Sequence, residues 1–441
     1  MTAHQYSPAP VDGYSTPAAA APVNATVSIP GSKSLTNREL ILAAIADGPG
    51  TLHAPLHSDD SQRMVDALRA LGVGIDEVDG DSEYGPDWHI TPAPLRGGGT
   101  VDCGQAGTVM RFVAPLAGLA DDDVLITAHE TALHRPMGAI ISALRDLGVD
   151  VDDEGRWSLP FTVRGRGQIR GGRVEVDAST SSQFVSGLLL CAPRFDVGLH
   201  LIHTGDRLPS LPHIDMTVEA LSRRGVRIER PSPYEWVIQS GTPRAKSIVI
   251  EPDLSNAAPF LAAALVTGGQ VSVPRWPTRS TQPGALLPEL LRAYGARIER
   301  NNGVLTVHGS DRIRAVDLDL SAASELSPTL AGLAVFADGP STLVGIGHTR
   351  LHETDRLAAL VTNIRALGGE AEELDDGLRI IPRPLHGGTW QAQHDHRMAT
   401  TGALVGLGVP GVTVDDIGTT AKTLPEFAQL WQAMAATAAG Q

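Results

Sequence analysis

The sequence has little cysteine and lacks long apolar runs. Its two cysteines, Cys103 and Cys191, are too few for a disulfide framework, and no C-x-x-C pair predicts a zinc site. No stretch reaches the roughly 18 apolar residues that a membrane-spanning helix needs, so none is predicted. These absences favour a protein of the reducing cytoplasm, with neither a bound metal nor a membrane attachment.

The first 21 residues contain no Lys or Arg and no apolar core of a signal sequence. They therefore match neither a secretory signal nor an Arg-rich transit peptide. Because Ala, Pro, Ser and Thr dominate this stretch, residues 1–21 are predicted to form a disordered N-terminal tail.

Basic residues are outnumbered, since 35 Lys and Arg stand against 50 Asp and Glu, which gives a net charge of -15. Such a surface repels nucleic acid and anionic membranes, so neither is an expected partner. An anionic ligand would need cations gathered locally. With 441 residues the chain exceeds the size of one hydrophobic core, and two domains are the first expectation.

One phrase recurs five times, as the end of an amphipathic helix, a glycine and a short strand. The glycines that mark it lie 70 to 77 residues apart: Gly72, Gly148, Gly225, Gly295 and Gly368. Each is expected to end its helix in the left-handed conformation, which glycine adopts without a Cβ penalty. Five copies and a degenerate sixth predict six modules, three in each of two α/β domains. Common α/β phrases in a doubly wound sheet are the alternative.

Several motifs combine hydroxyl and cationic side chains where a helix is expected to begin. In GSKSLTNR the chain turns at Gly31 and is predicted to enter a helix near Ser34, which shares a face with Arg38. The first turn of a helix attracts anions, and Lys33 adds a mobile cation. An N-capping serine beside ordinary surface cations is the alternative interpretation.

Three further stretches have the same character. CGQAGTVMR, with Gly107 at its centre, resembles a backbone nest at a helix start. Arg135 precedes Pro136 and is predicted in the first turn of a helix, where a cation is unfavourable unless it has an anionic partner. STSSQF, residues 179–184, offers hydroxyls that either cap a helix or bind a phosphate.

The C-terminal half contains the densest cluster, HTRLHETDRL, residues 348–357. Spacings of three and four residues predict that His352, Glu353 and Arg356 share one helix face. A surface ion pair explains Glu353 with Arg356, but not the neighbouring histidines. HDHRM adds Arg397 and TTAKTLPEF adds Lys422, so the cations at expected loops and helix starts are too many for chance in an acidic chain.

These motifs together resemble the enolpyruvyl transferase family, and within it the EPSP synthases. PGSKS followed by NR, GxAGTxxR, SSQF, HETDRL, DHRM and AKT occur in the family's order over residues 22–435. The resemblance implies a two-domain inverse α/β barrel, α/β (or α+β) in class, built from six βαβαββ modules. It implies one domain of residues 32–250, another of 22–31 with 251–435, and an active site in the cleft between them.

The resemblance also implies which residues bind and react. Shikimate 3-phosphate would be bound by the following residues: Lys33, Ser34, Arg38, Ser181, Ser182, Gln183, Ser210, Glu325, His348 and His352. Phosphoenolpyruvate would be bound by a second set: Lys33, Gly107, Arg135, Arg356, Arg397 and Lys422. The catalytic residues would be four: Lys33, Glu325, Glu353 and Lys422. Glu353 and Lys422 would move protons at the enolpyruvyl methylene, and Glu325 would act on the 5-hydroxyl of the sugar-like ring.

The implied reaction transfers the enolpyruvyl group of phosphoenolpyruvate to the 5-hydroxyl of shikimate 3-phosphate and releases phosphate, on the route to chorismate and the aromatic amino acids. Two polyanions need many fixed cations, and general acids and bases suffice for the chemistry, so no metal and no cofactor is expected. The resemblance also implies a cytoplasmic monomer that is a target of glyphosate.

Four positions depart from the best-known pattern of the family. His213 stands where that pattern has tyrosine, Glu325 where it has aspartate, and His348 and His352 where it has asparagine and lysine. The replacements keep polar groups, but histidine titrates near neutrality, so the ring contacts and the pH profile are expected to differ. The loop before Arg135 also carries fewer cations than is usual.

Two other functions compete with this one. The sister enzyme that acts on UDP-N-acetylglucosamine typically uses a cysteine in a mobile loop, and residues 129–135 contain none. A non-catalytic, anion-binding paralogue of the same fold would have lost its reactive groups, whereas Glu325, Glu353 and Lys422 are all present.

Overall fold

The computed structural model describes residues 13–438 of the chain. These residues form two compact units. Unit 1 takes its described residues from Met1–Ile29 and Leu254–Gln441, and unit 2 is the continuous stretch Pro30–Asp253. The chain therefore leaves unit 1 at Pro30 and returns to it after Asp253.

Twelve α-helices lie in the described residues. They are as follows: α1 Lys33–Ala44, α2 Asp59–Ala70, α3 Gly107–Ala117, α4 Gly138–Asp146, α5 Gln183–Cys191, α6 Leu211–Arg223, α7 Ala258–Thr267, α8 Leu287–Ala293, α9 Ser327–Ala334, α10 Arg356–Ala366, α11 His396–Gly408 and α12 Phe427–Ala436. Most residues of the odd-numbered helices α1 to α11 are buried, and all of these helices except α1 consist mainly of small or apolar residues.

The strands are short. They are as follows: β1 Tyr14–Ser15, β2 Asn24–Thr26, β3 Gly50–His53, β4 Gly74–Val78, β5 Asp87–Thr91, β6 Thr100–Asp102, β7 Asp123–Thr127, β8 Asp150–Asp152, β9 Phe161–Arg164, β10 Gly172–Val176, β11 Leu199–His203, β12 Ile228–Ser232, β13 Glu235–Ile238, β14 Ile248–Val249, β15 Gln270–Val273, β16 Arg297–Asn301, β17 Val304–His308, β18 Asp317–Asp319, β19 Ser341–Val344, β20 Glu370–Leu374, β21 Gly377–Ile381, β22 Gly388–Trp390 and β23 Val412–Val414. Several, such as β3, β13 and β15, alternate buried with less buried residues, which is typical of a sheet with one face on a core.

The strands form six small sheets, three in each unit. Unit 2 contains the orders β14-β3-β5-β4, β6-β7-β9-β8 and β10-β11-β13-β12, and unit 1 contains β2-β15-β17-β16, β18-β19-β21-β20 and β22-β23-β1. In every sheet the first two strands are parallel and the later pairings are antiparallel. The repeated order confirms the six predicted modules, of which the sixth is incomplete.

Helices occupy the middle of each unit. In unit 2, α1, α3 and α5 contact one another, and in unit 1 the same holds for α7, α9 and α11. Each set packs with its own sheets into a separate hydrophobic core. Helices inside and sheets outside are the inverse α/β barrel that the resemblance implied.

The five repeated glycines end their helices as predicted. Their φ angles lie between +76° and +105°, in the left-handed region where other residues are strained. Each one turns the chain from an outer helix into a strand, as in the passage from α2 through Gly72 to β4. The sequence repeat is therefore a repeat of one backbone turn.

Part of the predicted disordered tail is bonded into unit 1. Strand β1 pairs antiparallel with β23, and the amide and hydroxyl of Thr16 both donate to the Val412 carbonyl, at 3.1 and 2.8 Å. Tyr14 is buried. For residues 13–21 the prediction is wrong, because the sixth sheet has only two strands of its own and offers β1 an open edge. Residues 1–12 of the predicted tail lie outside the described residues.

The two passages of the chain at the border of unit 2 run side by side. Gly31 forms an antiparallel bridge with Pro252, and the Asp253 amide donates to the Pro30 carbonyl at 2.9 Å. A Cβ on Gly31 would lie 2.4 Å from the Ala54 carbonyl oxygen, so this close approach requires glycine. The passage leads directly into α1, which begins with Lys33.

Candidate active site

In unit 2, predicted site residues begin the three buried helices. Lys33 is the first residue of α1, Gly107 of α3 and Gln183 of α5. The free N–H groups of a first helical turn carry partial positive charge, which favours an anion. The helix containing Lys33 begins one residue earlier than expected, because the Ser32 hydroxyl caps it by accepting from the Leu35 amide at 3.5 Å.

Arginine and glutamine side chains surround the start of α3. A Cβ on Gly107 would lie 2.7 Å from Arg111 Nη1, 3.3 Å from Gln183 Oε1 and 3.9 Å from Arg135 Nη1. Arg135 also donates to the Gln105 carbonyl at 2.9 Å. Buried Gln183 Oε1 has no hydrogen-bond partner among residues 13–438. The structure thus brings three predicted residues, Gly107, Arg135 and Gln183, together with Arg111, which the predicted set had left out.

Arg135 was predicted in the first turn of a helix, and that detail is wrong. It lies in the turn between a short 3-10 segment, Glu130–Ala132, and α4, which begins only at Gly138. The Arg135 amide bonds to the Ala132 carbonyl at 3.1 Å, and Pro136 follows, so the helix starts beyond the proline. The guanidinium is instead directed by the Gln105 carbonyl.

Arg38 is almost fully buried inside unit 2. Its Nε donates to Thr217 Oγ1 at 2.8 Å, Nη1 to the Ser34 carbonyl at 2.8 Å, and Nη2 to the His213 carbonyl at 2.8 Å. The predicted neighbourhood of Ser34 and Arg38 is confirmed. The same bonds tie α1 to α6, which begins directly after Ser210.

The hydroxyl-rich stretch before α5 is arranged as a turn. The Ser181 hydroxyl accepts from the Gln183 amide at 3.2 Å, and Ser182 is the capping residue but makes no side-chain cap. Ser210 has a φ of +53°, a left-handed conformation that is strained for serine. Ser181 and Ser210 are therefore held at the starts of two neighbouring helices, α5 and α6.

In unit 1, Arg356 is the centre of an ionic network. Its Nε lies 2.7 Å from Asp395 Oδ2, and its Nη2 lies 3.0 Å from Glu353 Oε2. Burial alone would lower the pKa of Arg356, but the charges of Asp395 and then Glu353 outweigh it and raise the pKa above its ordinary value. Nη1 approaches His352 Nδ1 at 3.2 Å, and because guanidinium only donates, that nitrogen accepts.

His352 and Glu353 were predicted on a helix face with Arg356, which is wrong. The residues before Arg356 form a 3-10 segment, Gly347–Leu351, and a bend, and α10 begins at Arg356 itself. Asp355 is the N-cap of α10, because its carboxylate accepts from the Leu357 and Ala358 amides, both at 3.1 Å. The helix therefore does not extend back to His352 and Glu353. The three side chains still meet, through the bend.

Glu353 connects two cations. Its Oε1 lies 2.5 Å from Lys422 Nζ, and its other oxygen faces Arg356. The side chains of Glu353 and Lys422 are 14% and 8% exposed, so little water screens the pair. Lys422 ends a 3-10 segment, Ile417–Lys422. A carboxylate in short contact with an ammonium is a chemically reasonable route for a proton.

Glu325 and Arg397 meet around Ser255. The Ser255 hydroxyl donates to Glu325 Oε1, the Ser255 carbonyl accepts from Arg397 Nη1 at 3.2 Å, and Arg397 Nη2 lies 3.8 Å from Glu325 Oε2. Arg397 is the second residue of α11, whose N-cap, Asp395, accepts from the Arg397 amide at 2.8 Å. Asp395 therefore fixes both Arg356 and the start of α11.

The two histidines in this cluster also meet. His348 and His352 have ring centroids 5.8 Å apart in an edge-to-face arrangement, and His348 Nε2 lies 2.9 Å from the Ser324 hydroxyl. Ser324 directly precedes Glu325, so the histidine pair is bonded to the residue next to the one predicted to act on the 5-hydroxyl. Unit 1 thus brings together every predicted site residue of the C-terminal half.

Comparison with known proteins decides the family. The family profile EPSP synthase (3-phosphoshikimate 1-carboxyvinyltransferase) matches residues 17–431. A 3-phosphoshikimate 1-carboxyvinyltransferase of Kocuria rhizophila is 52% identical over 415 residues, which cover 93% of each chain. The chain belongs to the EPSP synthase family.

Solved structures agree on the fold of the EPSP synthase family. An EPSP synthase from Acinetobacter baumannii has a TM-score of 0.78 at 23% identity, covering 96% of this chain and 98% of its own. The enolpyruvyl transferase NikO from Streptomyces tendae has a TM-score of 0.75 at 18% identity, covering 96% and 97%. At such identities the likeness concerns the fold alone.

Besides Arg111, three residues joined to the candidate site were absent from the predicted set: Asp60, Ser255 and Asp395. Asp395 stands inside the HDHRM motif, so its neighbours offered a signal. Ser255 lies in an apolar helix phrase and Asp60 in the ordinary capped start SDDS, where nothing in the sequence indicates a contact with Glu325 or Lys33. These two contacts are made by the fold alone.

The described residues also bear on a membrane span and on a metal site. Within residues 13–438, each helix is too short or too polar to cross a membrane. In the same range, no three His, Cys, Asp or Glu side chains are grouped in a way that could hold a metal ion. Cys103 and Cys191 are buried and free there, and burial raises the pKa of both thiols.

Proposed function

We propose that this protein transfers the enolpyruvyl group of phosphoenolpyruvate to the 5-hydroxyl of shikimate 3-phosphate, giving 5-enolpyruvylshikimate 3-phosphate and phosphate. The observation that carries the proposal is the 52% identity, over 93% of both chains, to a relative named for this reaction. The arrangement of cations and carboxylates in each unit supports it.

The reaction is an addition followed by an elimination. A proton adds to the methylene carbon of phosphoenolpyruvate, while the 5-hydroxyl oxygen bonds to the neighbouring carbon and gives up its own proton. The adduct then loses phosphate and one methyl proton, which restores the double bond. Both halves need general acids and bases, and stabilisation of an anion-rich adduct.

We assign the proton transfers at the methylene to Glu353 and Lys422, whose short contact lets either group pass a proton to the other. Glu325 receives the hydroxyl proton. The Ser255 hydroxyl orients Glu325 and the Ser255 carbonyl positions Arg397, so base and cation share one support. Lys33 contributes its ammonium to both substrates.

We also propose which residues bind each substrate. For phosphoenolpyruvate we propose the following: Lys33, Gly107, Arg135, Arg356, Arg397 and Lys422. For shikimate 3-phosphate we propose the following: Lys33, Ser34, Arg38, Ser181, Ser182, Gln183, Ser210, Glu325, His348 and His352. Supporting features are the helix starts in unit 2 and the ionic network of Arg356 in unit 1.

The test is phosphate release with both substrates present. We expect turnover with shikimate 3-phosphate and none with UDP-N-acetylglucosamine, whose enzyme typically needs a loop cysteine that residues 129–135 lack. Binding of shikimate 3-phosphate without turnover would contradict the proposal and indicate a non-catalytic paralogue. Phosphate release from phosphoenolpyruvate with UDP-N-acetylglucosamine, but not with shikimate 3-phosphate, would indicate the sister activity.

Two variants locate the site. Lys33→Ala removes the cation that begins α1, and Arg135→Ala removes a guanidinium that lies near the start of α3. For each we expect kcat/KM to fall about a hundredfold or more without unfolding. Lys246→Ala and Arg227→Ala are matched controls, because both side chains are exposed. A variant with unchanged kinetics would remove its residue from the site.

We further propose that glyphosate inhibits this protein, and that the protein acts as a monomer in the cytoplasm. Family resemblance supports all three statements. Inhibition of phosphate release by glyphosate, a light-scattering mass near 46.3 kDa and recovery in the cytoplasmic fraction are the expected results. Phosphate release that glyphosate leaves unchanged, a dimer mass or membrane recovery would each contradict the corresponding statement.

A further inference from the structure

Lys33 is fixed at both its backbone and its side chain. Its amide donates to Asp253 Oδ2 at 3.1 Å, and its ammonium lies 3.1 Å from Asp60 Oδ2. The Lys33 side chain is 19% exposed and that of Asp60 only 3%. The ammonium therefore keeps an accessible side, while the carboxylate behind it does not.

Asp60 stands on a rigid support that is itself attached to α1. It is the second residue of α2, which is capped by the reciprocal bonds of Ser58 and Ser61. The Ser61 hydroxyl donates to the Leu56 carbonyl at 2.6 Å, and the Leu56 amide donates to Thr36 Oγ1 in α1 at 3.1 Å. The loop between β3 and α2 thus sets the position of Asp60 relative to the helix that starts with Lys33.

We propose that Asp60 is a positioning residue for the enolpyruvyl transfer, which holds the Lys33 ammonium where it meets the substrates and acts only through Lys33. This inference rests on the proposed function. Lysine has a long side chain with several rotatable bonds, so an unanchored ammonium stabilises a transition state poorly.

The same carboxylate has a second, opposite consequence. Its negative charge lies directly behind the cation that binds an anion, so it weakens the binding of that anion in the ground state. Loss of the charge should therefore reduce turnover and, at the same time, leave anion binding equal or tighter. A purely structural ion pair predicts weaker binding and a lower melting temperature instead.

The test compares Asp60→Asn with Asp59→Asn. Asp59 is the neighbouring, exposed residue of the same helical turn, so both changes remove one charge from the start of α2. For Asp60→Asn we expect kcat to fall about tenfold or more, with the calorimetric Kd for shikimate 3-phosphate unchanged or lower. For Asp59→Asn we expect wild-type values. Equal kcat values in Asp60→Asn and wild type, or a Kd that rises in step with the loss of kcat, would overturn the proposal.

A double variant tests whether Asp60 acts through Lys33. In the Lys33→Ala background, adding Asp60→Asn should change kcat/KM less than about twofold, since the partner is already gone. A further loss as large as that in the wild-type background would show an independent role and overturn the inference.

Chemical labelling gives a readout that does not depend on turnover. The sequence has three lysines, Lys33, Lys246 and Lys422, so reductive methylation followed by peptide mass spectrometry reads each one separately. In Asp60→Asn we expect Lys33 to be labelled at least about threefold faster relative to exposed Lys246, and unchanged in Asp59→Asn. Unchanged labelling in Asp60→Asn would contradict the contact. If wild type has no turnover, the proposed function fails, and the labelling still decides on Asp60.

Discussion

The charge of Asp395 is predicted to stabilise unit 1 through Arg356, and substitution by asparagine isolates that charge. Both side chains are almost completely buried, at 0% and 3% exposed. Asparagine is as good an N-cap as aspartate, so the bond to the Arg397 amide survives in Asp395→Asn. The change therefore removes the carboxylate charge and turns an amide donor toward Arg356 Nε, so it breaks the buried ion pair while it keeps the cap.

The expected magnitude follows from the remaining partners of Arg356. Breaking a buried ion pair by removing one member costs about 3–5 kcal/mol, and the retained contact with Glu353 places this case at the lower end, at about 3 kcal/mol. Asp395→Ala loses the cap as well, which adds about 1 kcal/mol. We expect the two variants in that order.

Urea unfolding followed by tryptophan fluorescence measures this difference. Trp390 is buried in β22, and its indole donates to the Met398 carbonyl in α11 at 2.8 Å, so its emission reports on the helix that Asp395 caps. With a slope of about 2 kcal/mol per molar urea, the asparagine variant should unfold at about 1.5 M less urea. The exposed control Asp375→Asn should stay within about 0.5 kcal/mol of wild type.

The result that refutes the reasoning is specific. If Asp395→Asn unfolds within about 1 kcal/mol of wild type while Asp395→Ala does not, the cap and the packing stabilise this region and the charge pair does not. In that case the charges of Asp395 and Glu353 would raise the pKa of Arg356 without a net contribution to the free energy of unfolding.

Three further predictions follow from single positions. Gly107→Ala places a methyl group 2.7 Å from Arg111 Nη1, which is the movable end of a side chain. We therefore expect an unchanged melting temperature and a KM for phosphoenolpyruvate that rises about tenfold. Gly99→Ala is the control, because its Cβ would meet nothing within 4 Å. Gly406→Ala places a Cβ 1.9 Å from Thr16 Oγ1, so it should cost about 1–3 kcal/mol in urea unfolding, and a neutral result would exclude the contact of the N-terminal segment with α11. Burial raises the pKa of Glu426 because it disfavours the charged carboxylate. The stability that the neutral carboxyl contributes is therefore present below its unfolded pKa and is lost as pH rises through its folded pKa. Glu426→Gln should raise the melting temperature at pH 8 and leave it unchanged at pH 4, and an equal effect at both would contradict the assignment.

The repeat and the inner helices could be predicted because each depends on residues that are close together in the sequence. A glycine after an amphipathic helix has one conformational reason to be there, and Gly72 and Gly368 both adopt it. Buried helices of small and apolar residues, such as α7, are equally legible. From such local signals the count of six modules followed.

Where the sequence misled, a competing local interaction decided. The spacings of His352 and Glu353 from Arg356 fit one helix face. Asp355 is the N-cap, however, so the helix begins only at Arg356 and excludes both residues. Pro136 looked like a first-turn residue, yet the helix begins two positions later. Neither preference is visible in periodicity, because a cap and a turn each depend on one side chain.

Some contacts between distant segments gave no signal in the sequence. A strand of two residues is too short to show a periodic pattern, so the sequence of Tyr14–Ser15 does not predict its pairing with β23. Likewise Asp60 reads as a helix-start carboxylate, and only the fold brings it to Lys33. The predicted binding roles of the site residues stay predictions until the variants described above are measured.

The pairing of the N-terminal strand has a consequence for how the protein is made. Thr16 bonds to Val412, 396 residues further along the chain, whereas unit 2 is a continuous stretch that ends at Asp253. During synthesis from the N-terminus, unit 2 has all its residues long before unit 1 does, and β1 must wait unpaired until β23 has left the ribosome. A translation product that stops short of Val412 would leave β1 unpaired and exposed, so we expect proteases to cleave incomplete chains at this segment.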